Sequence, residues 1–213
     1  MDATSQPEEP SSQPLEIGRV LRASTAGFTV GCRAGQLSTP SFGSLLKAQP
    51  IDTREAVYGL IYDMHIDDDP LVRRLVLSEG ARPSVISDQR DNRLLPIEMS
   101  VLSVGYRLDG RLYHSLPPRP PLNLDPVYLC DRRDDVLAFT DRPDYLRLIL
   151  RAAGEVPVDQ LLVAHIRHVY ALRGRDEAWA RRMLDEVIEL LRSDYNLLTP
   201  VLDALSLALP QLG

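Results

Sequence analysis

The sequence predicts an α+β fold in which a small N-terminal antiparallel β-barrel, residues 15–130, precedes a C-terminal helical bundle, residues 131–213. Three observations predict it. Up to Cys130 the apolar residues alternate in short runs broken by Gly, Pro and Asp, the pattern of strands joined by turns. From Asp131 onwards the apolar spacing becomes that of helices. Between the two regimes, residues 105–130 run through a tight turn at Asp109-Gly110 and past Pro117, Pro118, Pro120 and Pro121 into a last short strand. Proline fixes φ and removes a backbone donor, so this middle piece forms neither helix nor inner strand and reads as a stiff strap laid across a sheet.

Taken in order, residues 1–14 are polar and acidic, the composition of a disordered tail. Residues 15–21 form a strand with Leu15, Ile17 and Leu21 on one face and Val20 on the other; Phe28, Val30 and Cys32 lie on a second strand beyond a turn at residues 24–27. Residues 35–41 are loop, and residues 44–48 a short strand stopped before Pro50. Residues 55–66 are rich in Val, Ile and Tyr, with Gly59 marking a bend or bulge. Asp69-Pro70 starts a short helix carrying Leu71, Leu75 and Val76, and residues 82–93 are a short helix or a loop. Residues 95–108 form the next long strand, returning through residues 111–113. In the second half, Asp141-Arg142-Pro143 opens one helix. Val158, Leu161, Leu162, His165, Ile166 and Val169 stripe a second, and Asp176 or Arg175 opens a third with Trp179 and Met183 inward. A last amphipathic helix runs from Thr199 to about Leu209.

Composition narrows the function. Of 213 residues, 44% are hydrophobic, enough for a core, and no run of eighteen apolar residues exists to cross a bilayer. The acidic start is unlike a signal peptide, and two cysteines make no disulfide framework, so a cytoplasmic protein with reduced thiols is expected. The net charge of −6 is spread as −3 over residues 1–14, −1 over 15–140 and −2 over 141–213, without the cationic excess of a nucleic-acid binder.

Lys47 is the only lysine and stands in Leu45-Leu46-Lys47-Ala48, without the glycines or hydroxyl partner of a phosphate-binding loop. Asp67, Asp68 and Asp69, with His65 nearby, lack the spacing and closing Glu of a calcium loop and read as a solvated turn. His165 and His168 could reach one metal, but His165 occupies an apolar-stripe position and reads as a packed histidine. Cys32 and Cys130 fall in strands, where cysteine packs as a small hydrophobe, and Glu98 reads as a surface residue of its strand. No catalytic residue, cofactor site or metal site is therefore assigned, and the expectation is a non-enzyme. Arg119, held out by the PPRPP segment, suits a carboxylate or a neighbouring subunit, or else lies along the barrel wall.

The ordered pieces resemble a known module. Ile17-Gly18-Arg19-Val20 leading through Ser24-Thr25 to Phe28-Thr29-Val30, then Val57-Tyr58-Gly59-Leu60-Ile61, then LSVGYRLDGRLYHSLPPRPPLNLDPVYLC together resemble the HAS-barrel, the HerA–ATP synthase barrel, over residues 15–130. The resemblance implies a non-catalytic barrel that in that family is attached to a hexameric HerA/FtsK-type ATPase acting in DNA-end processing, where it helps form the ring or contacts partners such as the NurA nuclease. Where the family's ATPase domain would follow, this sequence turns helical. The expectation is an interaction or assembly module that docks on a protein partner, a separate HerA-like ATPase foremost, or self-associates. The alternative is a small barrel that binds single-stranded nucleic acid. Tyr106, Arg107, Arg111, Tyr113 and Arg119 are the candidate interaction residues for either.

Overall fold

The computed structural model describes residues 15–33, 40–50, 54–66, 96–131 and 133–209. The tail 1–14, the loop over 35–39, the Asp67 to Asp69 turn, the helix expected over 71–76 and the polar stretch 82–93 lie outside the described residues.

The described residues form seven strands: β1 Glu16–Ala23, β2 Gly27–Arg33, β3 Leu45–Ala48, β4 Ala56–Ile66, β5 Pro96–Leu108, β6 Arg111–Tyr113 and β7 Pro126–Leu129. Their order in the sheet is β2-β1-β7-β3-β4-β5-β6, and a further β2–β5 pairing closes the first six into an antiparallel barrel. Closure leaves those six strands without an edge along the ladder, while β6 extends from β5 outside the ring. The interior is filled by Ile17, Val20, Phe28, Val30, Leu46, Ile61, Met99 and Val127, among others.

Two irregularities shape the barrel. In β1 the ladder shifts between Glu16 and Gly18 and again between Val20 and Arg22. Strict alternation therefore fails: Ile17 and Val20 both point inward, while Leu15 and Leu21 are exposed, which corrects the grouping of Ile17 with those two leucines. In β4 the register shifts at Gly59, as its glycine suggests. A side-chain carbon at Gly59 would lie 2.5 Å from Val101 Cγ1 and 2.7 Å from the Leu102 carbonyl oxygen, so only bare backbone fits the bend.

Among the described residues five α-helices follow: α1 Arg133–Thr140, α2 Leu146–Arg151, α3 Val158–Leu172, α4 Glu177–Leu191 and α5 Tyr195–Ala208, with a 3-10 turn at Pro143–Tyr145 before α2. They cover the outer face of β3, β4 and β5, where Leu45, Tyr58, Leu60 and Val104 pack with Phe139, Leu146, Leu162 and Trp179 in a second core. Those three strands are thus apolar on both faces, which explains their near-continuous hydrophobic runs.

Three helix starts differ from the sequence expectation. Residues 133–140 are helical although only Val136, Phe139 and Thr140 are buried in them. The end of α1 is held from elsewhere in the chain: Trp179 Nε1 donates to the Thr140 carbonyl (2.7 Å) and Arg173 Nη2 to that of Leu137 (3.1 Å). Asp141 does not cap the next element, which begins as the 3-10 turn without any side-chain cap. The last helix starts at Tyr195, capped by Asp194, and carries Pro200 inside rather than at its first turn. Asp176 caps α4 through the Trp179 amide, as expected.

Candidate interaction surface at the barrel mouth

The strap crosses the barrel end where β3 finishes, β4 starts and β5 leaves the ring. There it encloses a cleft of about 380 Å3 lined by Tyr106, Leu108, Pro117, Pro121 and Val57, with Arg107 and Arg119 also on its walls. Before the strap, β5 turns back through Asp109 (φ 51°) and Gly110 (φ 76°), both left-handed, so the strands are joined by a two-residue turn that matches their twist. The hairpin pairs Tyr106 with Tyr113, whose rings stack at 4.9 Å between centroids and 13° between planes.

Both ends of the strap are fixed. At its start a ring nitrogen of His114, Nε2, donates to the Phe139 carbonyl (2.9 Å), and Arg147 Nη2 donates to the carbonyl of His114 (2.9 Å). At its end the Leu122 amide donates to Asp125 Oδ2 (2.8 Å). Leu124 takes a left-handed φ of 69° and donates its amide to Val20 (2.8 Å), and Arg19 Nη1 donates to the Leu124 carbonyl (3.0 Å). Pro117 and Pro121 are buried against the barrel end. On this anchored segment Leu116 (48%), Leu122 (68%) and Leu124 (68%) have exposed side chains.

The five residues singled out in the sequence divide as follows. Tyr106, Arg107 and Arg119 line the cleft. Tyr113 reaches it by stacking on Tyr106, and Arg111 sits exposed across the ladder from Leu108. Arg119 Nη2 lies 3.1 and 3.4 Å from the two Glu55 carboxylate oxygens, with its side chain 75% exposed, so the rigid segment does present its guanidinium to a carboxylate. Arg107 lies over the Tyr58 ring at 5.4 Å. The three exposed leucines were missed, because leucines interleaved with prolines carry no strand or helix period; the prolines themselves, which deny them a place in a strand, are the signal that points to them.

The other candidate chemistry lies in the core. His165 is buried, with Nδ1 3.0 Å from the Gly43 carbonyl and Nε2 3.1 Å from Tyr145 Oη. A carbonyl only accepts, so Nδ1 carries the proton and Nε2 accepts from tyrosine. Burial drops its pKa to about 4, keeping it neutral, and raises that of the Cys130 thiol to about 12. Glu98 pairs with Arg22 at 3.1 Å. Among the described residues no helix is long and apolar enough to cross a membrane.

Tyr58 Oη is buried and has no hydrogen-bond partner among the described residues, and burial raises its pKa. Removing a buried unpaired hydroxyl relieves a desolvation cost, so Tyr58→Phe is expected to leave stability unchanged or raise it by about 1 kcal/mol in urea unfolding. A loss of more than about 1 kcal/mol would show that the hydroxyl is satisfied. No family model matches this sequence, and no curated protein matches it.

Proposed function

We propose that the chain is a non-catalytic interaction and assembly module, acting in the cytoplasm, whose docking surface is the strap at the barrel mouth. The observation that carries this reading is the display of Leu116, Leu122 and Leu124 on a segment anchored at both ends. A partner that covers leucines on a mobile loop must also order the loop; here that cost is met in the fold, so the buried area converts more fully into affinity. The exposed Arg119–Glu55 pair supplies a polar rim that orients whatever docks. The partner we propose is a HerA/FtsK-type DNA-processing ATPase carried on a separate chain, on the strength of the HAS-barrel resemblance over residues 15–130.

A single-strand binder of the small-barrel type needs aromatic faces free for bases and arginines free for phosphates. Tyr106 and Tyr113 stack on one another, Arg119 is paired with Glu55, and Arg107 lies over Tyr58, which favours the protein-docking reading. The test is affinity capture of the tagged protein from its own host beside a Leu122→Asp, Leu124→Asp variant. Recovery of a P-loop ATPase that falls at least about tenfold in the variant supports the reading, since an apolar anchor replaced by a charge loses its pocket. Equal recovery by both proteins, or tight salt-sensitive binding to single-stranded DNA with no protein captured, overturns it.

A further inference from the structure

The start of the strap is fastened by a titratable ring. His114 is the first residue after β6, and its side chain is only 8% exposed. Its Nε2 donates to the Phe139 carbonyl near the end of α1. The ring packs edge-on against those of Phe139 and Tyr145, at 4.9 and 5.5 Å between centroids, and the backbone carbonyl of His114 accepts from Arg147 of α2. One histidine thus joins the strap to α1, to the 3-10 turn and to α2. Because a carbonyl only accepts, the neutral ring keeps its proton on Nε2 and leaves Nδ1 bare.

A second proton has to go on Nδ1, and among the described residues nothing there is ready to receive the charge. Asp144 of the 3-10 turn is nearest, with Oδ2 3.8 Å from Nδ1, beyond hydrogen-bond reach. That same oxygen is held by Arg142 Nε at 2.8 Å, so its charge is already matched. Arg147 of α2 and Asp141, just after α1, line the groove beside the ring and add one charge of each sign, and β6 contributes Tyr113. The Tyr145 hydroxyl is engaged by His165 of α3 at 3.1 Å. Burial accordingly holds the pKa of His114 below its ordinary 6.5, against the pull of Asp144.

We propose that His114 is a pH-sensitive latch: neutral, it fastens the start of the strap to the helical region, and protonation lets that end go. In the released strap the ring stands in water and takes its proton at the ordinary value. Anchoring is therefore fully present above pH 6.5 and is lost as pH falls through the lower value of the anchored ring. Over that window the ratio of released to anchored strap rises by up to about tenfold per pH unit. Leu116, two residues on, moves with the latch; control of docking rests on the reading given above, whereas release itself is measured without a partner.

Electron paramagnetic resonance of the full chain carrying a nitroxide on Leu116→Cys tests this as pH is lowered from about 7.5 to about 5, the range in which histidine changes charge. Leu116 is exposed while Cys32 and Cys130 are buried, so one site takes the label. The mobile fraction is expected to rise on acidification, while a label on Tyr195→Cys, exposed on α5, stays unchanged. His114→Gln keeps a donor for the Phe139 carbonyl but has no proton to gain, and its strap should not respond to pH. Arg142→Gln, at an exposed position, frees Asp144 to accept from Nδ1 and should suppress release. A Leu116 label that stays immobile down to the lowest pH overturns the proposal. So do equal rises in the His114→Gln or Arg142→Gln background, and equal mobilisation of the Leu116 and Tyr195 labels, which is unfolding of the whole chain.

Discussion

Trp179→Ala should cost about 4 kcal/mol or more of folding stability, read as a fall in the urea midpoint, because it removes a buried ring and the hydrogen bond that ends a helix. Trp179 is fully buried in the core that joins the helices to the barrel wall, and large-to-small changes at such sites leave a cavity that neighbours fill only in part. Its indole N–H closes the Thr140 carbonyl, and its ring lies 5.1 Å from the guanidinium of Arg173. That arginine donates in turn to Thr140 Oγ1 and the Leu137 carbonyl, so the substitution loosens a second buried group with the first. Trp179→Phe keeps most of the volume and loses only the N–H; it should cost about 1–2 kcal/mol, the penalty of a carbonyl left unpaired. A loss below about 2 kcal/mol for the alanine variant would mean that α1 is held by other contacts.

Acid should destabilise the protein through His165 before its carboxylates protonate. Burial lowers the pKa of this histidine from 6.5 to about 4 in the folded chain, while the unfolded chain keeps the ordinary value. Between those two values the unfolded state binds a proton that the folded state does not. The contribution is therefore fully present above pH 6.5 and is lost as pH falls towards 4, about 3 kcal/mol in all. His114 and His168, whose pKa values burial also lowers, act with the same sign. The Gly43 backbone, whose carbonyl the histidine bonds, packs directly on α3: a side-chain carbon at Gly43 would lie 2.9 Å from the His165 amide. His165→Gln should be less stable at pH 7 yet flatter between pH 6.5 and 4, as urea titrations at each pH would reveal. Equal slopes for the two proteins would place the acid sensitivity elsewhere.

Much of the architecture could be read from the sequence because its causes are local. The strand-forming composition of residues 55–66 and 95–108, the Asp109-Gly110 turn and the Asp176 cap act within a few residues and appear in the structure within a residue or two. The rest is set by distant partners. Closure of the barrel pairs Gly27 with Leu102 and Cys32 with Ile97, a register that no local pattern states. Helix α1 has too few apolar positions to announce itself and is finished by Arg173 and Trp179 from two later segments. The sequence places the last helix from Thr199, whereas it starts at Tyr195, capped by Asp194, and passes through Pro200. At the candidate surface, the sequence supplied Tyr106, Tyr113 and Arg119 but neither the Glu55 partner nor the leucines. Those depend on where the strap lies across the barrel end.

The claim that the strap is where a protein partner docks is tested most directly by a photo-crosslinking residue placed at Leu122, with Tyr195 on the helical side as control; both positions are strongly exposed. Illumination in the native host should join the Leu122 variant to one protein, a HerA/FtsK-type ATPase, and leave the Tyr195 variant without that product. Crosslinks to that protein from Tyr195 and none from Leu122, or crosslinks from Leu122 to nucleic acid alone, would contradict the account.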